Sequence, residues 1–139
     1  MDLSVIAIIG ILSAVVLASL STSRQKANDA KIEEQMNSFR NAAGEYYTLN
    51  NNFGSGSGND ICSVGSTDTT GLYTLEQGGA FPPNTGPLGC STDAGAGPAT
   101  QWSAYYGLSS GSFFCVDSTG VATTEPSTWT APTGGAPCP

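Results

Sequence analysis

The chain has 139 residues, a formal net charge of −7 and no histidine. It therefore lacks the commonest general base and metal ligand, and with no P-loop or G-x-S-x-G motif nothing in the sequence supports catalysis. All basic residues lie between positions 24 and 40, so the distal part has no cations to neutralise nucleic-acid phosphates. We expect no enzyme activity, no cofactor, no metal site and no nucleic-acid partner.

Residues 3–20 are dominated by apolar side chains on every face and include no charged residue. As a helix they would span about 27 Å, close to the hydrocarbon thickness of a bilayer. A cleaved secretory signal is the alternative, but no basic segment precedes the run and a polar helical pattern follows it without a cleavage site. The basic residues Arg24 and Lys26 would by charge bias alone favour a cytoplasmic side, whereas the cysteines discussed below favour export.

The helical pattern continues through residues 24–50. An apolar stripe recurs there at steps of three and four, which predicts the face on which a distal domain docks: Ile32, Met36, Phe39, Ala43 and Tyr46. The asparagine run at 50–52 and Gly54 predict the end of the helix. Such a helix would be about 70 Å long, so roughly half of it protrudes from a small domain. The protruding half is the apolar one, which needs lipid or copies of itself around it.

Residues 51–139 are rich in Gly, Ser, Thr, Asn and Pro, which predicts a loop-rich β domain. Residues 101–108 and 112–117 flank Ser-Ser-Gly and predict a hairpin with Trp102, Ala104 and Tyr106 on one side. A further short strand is predicted at 72–76. Residues 54–70 are expected to be a loop, and residues 78–99 show no clear period. Residues 126–139 are a proline-rich tail.

Four cysteines without a CxxC motif predict two disulfides, because a domain of roughly 90 residues benefits from covalent staples. Free buried cysteines are the alternative. Of the possible pairings we favour Cys62–Cys90 and Cys115–Cys138, since each joins neighbours in sequence and pins an irregular segment. Disulfides imply an oxidising, extracytoplasmic location. The loop aspartates offer oxygen donors of the kind calcium takes, but without EF-hand spacing: Asp60, Asp68, Asp93 and Asp117.

Residues 6–20 (IAIIGILSAVVLASL) and the polar residues 21–32 that follow (STSRQKANDAKI) resemble the N-terminal helix of type IV pilins and of type II secretion pseudopilins. Residues 102–120 resemble, less specifically, the C-terminal hairpin of some bacterial pilin-like proteins. The chain departs from the family pattern in its start, Met1-Asp2-Leu3-Ser4-Val5 instead of Phe-Thr-Leu-Ile-Glu, and in having Ala18 where family helices commonly carry proline.

The resemblance implies an α+β pilin fold in three parts. Residues 1–23 would be the apolar transmembrane and filament-core helix, residues 24–50 its amphipathic continuation, and residues 51–139 a small, disulfide-stapled antiparallel β domain. It further implies a structural subunit of an extracellular type IV pilus-like filament. The precursor would be held in the inner membrane, processed by a prepilin peptidase and built by an assembly machinery into a homopolymer. The alternatives are a type II secretion pseudopilin and a membrane-tethered binding domain that does not polymerise.

The assembly residues follow from the same resemblance. Asp2 is the available counterpart of the family's early acidic residue, and it would neutralise the α-amine of Met1 in a neighbouring copy. The alternative is a helix-start aspartate that interacts only with the helix dipole. The predicted filament core consists of apolar side chains and one glycine: Leu3, Val5, Ile6, Ile8, Ile9, Gly10, Ile11, Leu12, Val15, Val16 and Leu17.

Overall fold

The computed structural model describes residues 2–55, 59–62, 88–93, 95 and 97–139. Within these residues one long helix precedes a short hairpin, β1–β2, and an antiparallel sheet of order β3-β4-β5-β6. The predicted α+β architecture, a long N-terminal helix packed on a small antiparallel sheet, is therefore confirmed. The elements are α1 (Asp2–Asn50), β1 (Gly54–Ser55), β2 (Asn59–Asp60), β3 (Leu88–Thr92), β4 (Trp102–Gly107), β5 (Phe113–Asp117) and β6 (Ala122–Glu125).

Helix α1 runs without a break for 49 residues, about 73 Å. It contains no proline, so nothing removes a hydrogen bond from its interior. The helix ends at Asn50, where the asparagine run predicted its end. Asn51 has a φ of 61°, a left-handed conformation that asparagine tolerates, and its N–H donates to the carbonyl of Tyr47 at 2.7 Å.

The second half of α1 docks on strands β4 and β5 through the predicted stripe. Ile32, Met36, Phe39 and Ala43 are buried, and Tyr46 is half-buried. The predicted hairpin is also confirmed: β4 and β5 pair through a turn at Ser109–Gly111, and the inward side chains are buried among the core. In that core the ring of Phe39 meets Trp102 edge-on at 5.0 Å. The inward residues of the hairpin are Trp102, Ala104, Tyr106, Phe114 and Val116.

Two polar clasps fix how the sheet sits along the helix. The carboxylate of Asp29 accepts hydrogen bonds from the N–H of Ser109 at 2.8 Å and from its hydroxyl at 2.7 Å. Eleven positions further along α1, Nη1 of Arg40 donates to the carbonyl of Gly120 at 2.9 Å. The two clasps are about 16 Å apart along the helix axis, so they resist tilting as well as sliding of the sheet.

The structure corrects the sequence analysis in the irregular segments. The predicted loop at 54–70 begins with the β1–β2 hairpin, and the segment 78–99 contains β3. Strand β3 lacks an apolar alternation because its second residue is Gly89, where a Cβ would overlap the ring of Tyr105. Strand β6, which was not predicted, is an edge strand whose side chains are exposed or half-buried. The predicted strand at 72–76 lies outside the described residues.

Candidate functional site

The first half of α1 is an apolar surface that the rest of the described chain leaves uncovered. Every residue from position 2 to position 27 is exposed. The large apolar side chains there range from 84% exposed at Leu3 to 46% at Leu20. The predicted core residues of this segment are therefore all exposed in the single chain: Leu3, Val5, Ile6, Ile8, Ile9, Gly10, Ile11, Leu12, Val15, Val16 and Leu17.

The energetic weight of this surface exceeds that of an ordinary hydrophobic patch. Full burial of one Val, Leu or Ile side chain contributes about 1.5–3 kcal/mol. Covering the exposed apolar side chains from Leu3 to Leu20 is therefore worth on the order of 10–20 kcal/mol. The whole net stability of a typical domain is about 5–15 kcal/mol. The apolar half of α1 therefore requires a cover that the domain does not supply.

Helix α1 is also long and apolar enough to cross a membrane, judged by length and composition alone, and none of its apolar window is buried. A signal sequence near an N-terminus has the same two properties. The apolar half of α1 is therefore suited to a bilayer or to an equally apolar protein environment.

One side of this apolar surface consists mainly of small residues. Ala7, Gly10, Ala14 and Ala18 recur at steps of three and four, so they share one side of α1. No atom lies within 4 Å of the position where a Cβ would stand on Gly10. Side chains this small let two helices approach closely.

Asp2 lies in the first turn of α1 and is exposed. Carboxylates at this end of a helix are favoured by the helix dipole. Its predicted partner, Met1, lies outside the described residues, so the two roles considered for Asp2 stay predictions.

The cysteines of the distal domain form two disulfides, with the pairing favoured from sequence. Cys62, directly after β2, joins Cys90 in β3 with a Cα–Cα distance of 5.4 Å. Cys115 in β5 joins Cys138 in the C-terminal tail with a Cα–Cα distance of 6.0 Å. Both residues of the second pair are buried. This second disulfide pins the proline-rich tail to the central part of the sheet.

Asp117 anchors the same tail from inside the domain. Its carboxylate is fully buried and accepts hydrogen bonds from the N–H of Thr119 at 2.8 Å, the hydroxyl of Thr119 at 2.6 Å and the N–H of Val121 at 3.2 Å. Its second oxygen accepts the N–H of Cys138 at 2.8 Å. One carboxylate thus holds the β5–β6 turn and the end of the chain. A buried acid with so many donors is structural, which the sequence analysis did not foresee.

The other described loop aspartates also close turns. Asp93 accepts the N–H groups of Thr100 at 2.7 Å and Gln101 at 2.8 Å, and also the Thr100 hydroxyl. The hydrogen bond from the Thr100 side chain is the main cause that lowers the pKa of Asp93, because it stabilises the ionised carboxylate. Asp60 accepts the Thr92 hydroxyl at 2.7 Å. Asp68 lies outside the described residues, and the described part of the chain gathers no group of three potential metal ligands.

An aromatic cluster covers the outer side of the sheet. Trp129 from the tail lies edge-on to Tyr105 with ring centroids 5.4 Å apart, and Phe113 lies 5.9 Å from Trp129. These rings are half-buried, so their main role is to pack the tail on β4 and β5. The sequence analysis missed this use of Trp129, because a lone aromatic in a proline-rich tail carries no periodic signal.

An open cleft of about 460 Å³ lies where α1 ends, beside Tyr47 and Phe53. Among the described residues that line it there is no Asp, Glu, Lys or Arg. The remaining lining residues are Gly44, Thr100, Gln101, Ser118 and Thr119.

Comparison with known proteins finds no matching family model, no similar curated protein and no similar solved structure. The functional argument is therefore carried by the chain's own geometry, above all by the uncovered half of α1.

Proposed function

We propose that this chain is the structural subunit of an extracellular type IV pilus-like filament and polymerises through the apolar first half of α1. The observation that carries the proposal is the uncovered apolar half of a helix whose second half is firmly docked on its own domain. The described part of the domain packs only on the second half of α1, so it leaves the first half free to contact the same segment of other copies.

The distribution of apolar residues favours an open polymer over a dimer. Apolar side chains lie on every side of residues 3–20, with the small ones together on one side, and one partner helix covers only one side. Several neighbours are needed, and subunits that repeat a head-to-tail contact without closing a ring form a helical filament. The acidic, disulfide-linked domains then lie on the outside, in an oxidising environment.

Before assembly, the same segment needs lipid. Its length and composition suit a bilayer, so we propose that the precursor is held in the inner membrane until it is extracted into the filament. In this scheme a prepilin peptidase processes the precursor and a dedicated assembly machinery drives polymerisation.

The direct test is electron microscopy of material sheared from cells that produce the chain together with a pilus assembly machinery. We expect long helical filaments, and mass spectrometry should identify their main protein as this chain. Recovery only as short stubs that stay in the cell envelope would favour the pseudopilin alternative. Recovery only as monomers in the membrane fraction would contradict the proposal and favour a tethered binding domain.

Asp2→Ala is expected to abolish filaments while leaving membrane insertion intact. If the carboxylate neutralises the α-amine of Met1 in the next copy, its removal leaves a buried charge unpaired, which costs about 3–5 kcal/mol per contact. If Asp2 acts only on the helix dipole, the loss is about 0.3–1 kcal/mol and filaments persist. Filament yield in the sheared fraction, normalised to chain in the membrane fraction, separates the two roles. Asp2→Glu is the control that keeps the charge, and unchanged yield for Asp2→Ala would remove Asp2 from the assembly site.

A further inference from the structure

The side of α1 that faces away from the sheet carries several exposed charges, and Lys26 and Glu34 are the base and the acid of this side that lie nearest to the apolar half of the helix. Measured around the helix axis from Ile32, whose side chain points into the core, Lys26 lies at about 120° and Glu34 at about 200°. Neither forms an ion pair with another described residue. Both charges are therefore available to a second molecule.

The surroundings of these two charges suit a second helix. Ser23, Ala27 and Ala30 lie on the same side of α1, and all three are exposed. With such small side chains beside the charges, a neighbouring helix is able to approach closely.

This polar surface continues the apolar one along the same side of the helix. Val5, Leu12 and Val16 occupy it in the first half of α1, and the helix has no break between the two halves. A copy that packs lengthwise on this side of the apolar half therefore also runs along Lys26 and Glu34. Charges brought into such a contact are costly unless each finds a partner of opposite sign.

Resting on the proposed function, we infer that neighbouring copies in the filament pack in parallel with an axial offset that pairs Lys26 of one copy with Glu34 of the next. Parallel copies without an offset would place Lys26 beside Lys26 and Glu34 beside Glu34. The two residues are eight positions apart, so opposite charges meet when one copy is displaced by about 12 Å along the helix axis. The partner recognised by this surface is a second copy of the same chain.

Charge reversal tests the inference in the full-length chain. Lys26→Glu and Glu34→Lys each place like charges at the contact, and we expect each to lower filament yield by about two- to tenfold, more at low salt than at high salt. The double variant Lys26→Glu/Glu34→Lys restores opposite charges and should return the yield to within about twofold of the wild type. Glu125→Lys, the same change on edge strand β6, is the matched control and should leave the yield unchanged. Losses in the single variants that the double variant does not rescue would overturn the inference.

A chemical cross-link gives a second readout that does not depend on a variant folding. A carbodiimide joins an amine to a carboxylate only when the two are in contact. In filaments built from a mixture of isotopically light and heavy chains, we expect a Lys26–Glu34 peptide pair that joins light to heavy chain. Filaments that form normally without this mixed pair would refute the offset while leaving the proposed function intact. Failure of the wild-type chain to form any filament would instead refute the proposed function.

Discussion

Val16→Asp is expected to abolish filament formation while the distal domain stays folded. Val16 is 63% exposed in the single chain, so the substitution removes little from the folded subunit. In the bilayer that holds the precursor an aspartate costs about 3 kcal/mol, because local thinning and water defects still reach the charge. In an assembled filament the same position is surrounded by packed apolar side chains, where an unpaired carboxylate has neither water nor a cation and costs more. Because every subunit repeats the penalty at every contact, the effect on the polymer is far larger than on the monomer.

Three measurements check this result. Filament yield in the sheared fraction should fall below detection, membrane-fraction chain should persist, and both disulfides should still form. Thr48→Asp is the matched control, because it adds the same charge to an exposed position at the opposite end of α1. Normal filaments from Val16→Asp would mean that the apolar half of α1 is not in the filament core.

Asp117→Ala is expected to produce the largest loss of stability within the distal domain. The substitution leaves the buried N–H of Cys138 and the half-buried N–H of Val121 without their acceptor, and it also removes both hydrogen bonds from the exposed Thr119. A hydrogen bond to a charged group contributes about 1.5–3 kcal/mol, so the bonds from Cys138 and Val121 together give an expected loss of about 3–6 kcal/mol. This approaches the whole stability of a small domain.

Guanidinium unfolding in detergent, followed by tryptophan fluorescence, gives the size of the loss. Asp93→Ala is a demanding control, because Asp93 also accepts three hydrogen bonds but lies at the surface, where water replaces the lost acceptor. We expect a clearly smaller loss for that variant. Equal losses for the two would show that burial of the Asp117 carboxylate does not set its importance.

Local, periodic signals made the helix and the hairpin predictable. The stripe from Ile32 to Tyr46 follows the helical period over four turns, and the asparagine run stops the helix by backbone preference alone. The hairpin was predictable because two aromatic-rich segments flank a Ser-Ser-Gly turn. The uncovered apolar segment was equally accessible, because hydropathy is a property of composition.

The missed features depend on contacts between distant residues. Strand β3 is held by pairing with β4 and by the ring of Tyr105 lying over Gly89, and neither leaves an alternation in the sequence of β3. Trp129 packs against the sheet only because the tail folds back over Tyr105 and Phe113. The role of Asp117 likewise depends on a donor, the N–H of Cys138, that is 21 positions away.

The central claim is that residues 3–20 are buried among identical segments of neighbouring copies, and a helical reconstruction of the filament at side-chain resolution tests it most directly. We predict that these residues lie at the filament axis, with Leu12 and Val16 in van der Waals contact with the apolar segments of neighbouring copies. A reconstruction that places residues 3–20 on the outside, or a purified full-length chain that stays monomeric in water without detergent, would contradict the claim.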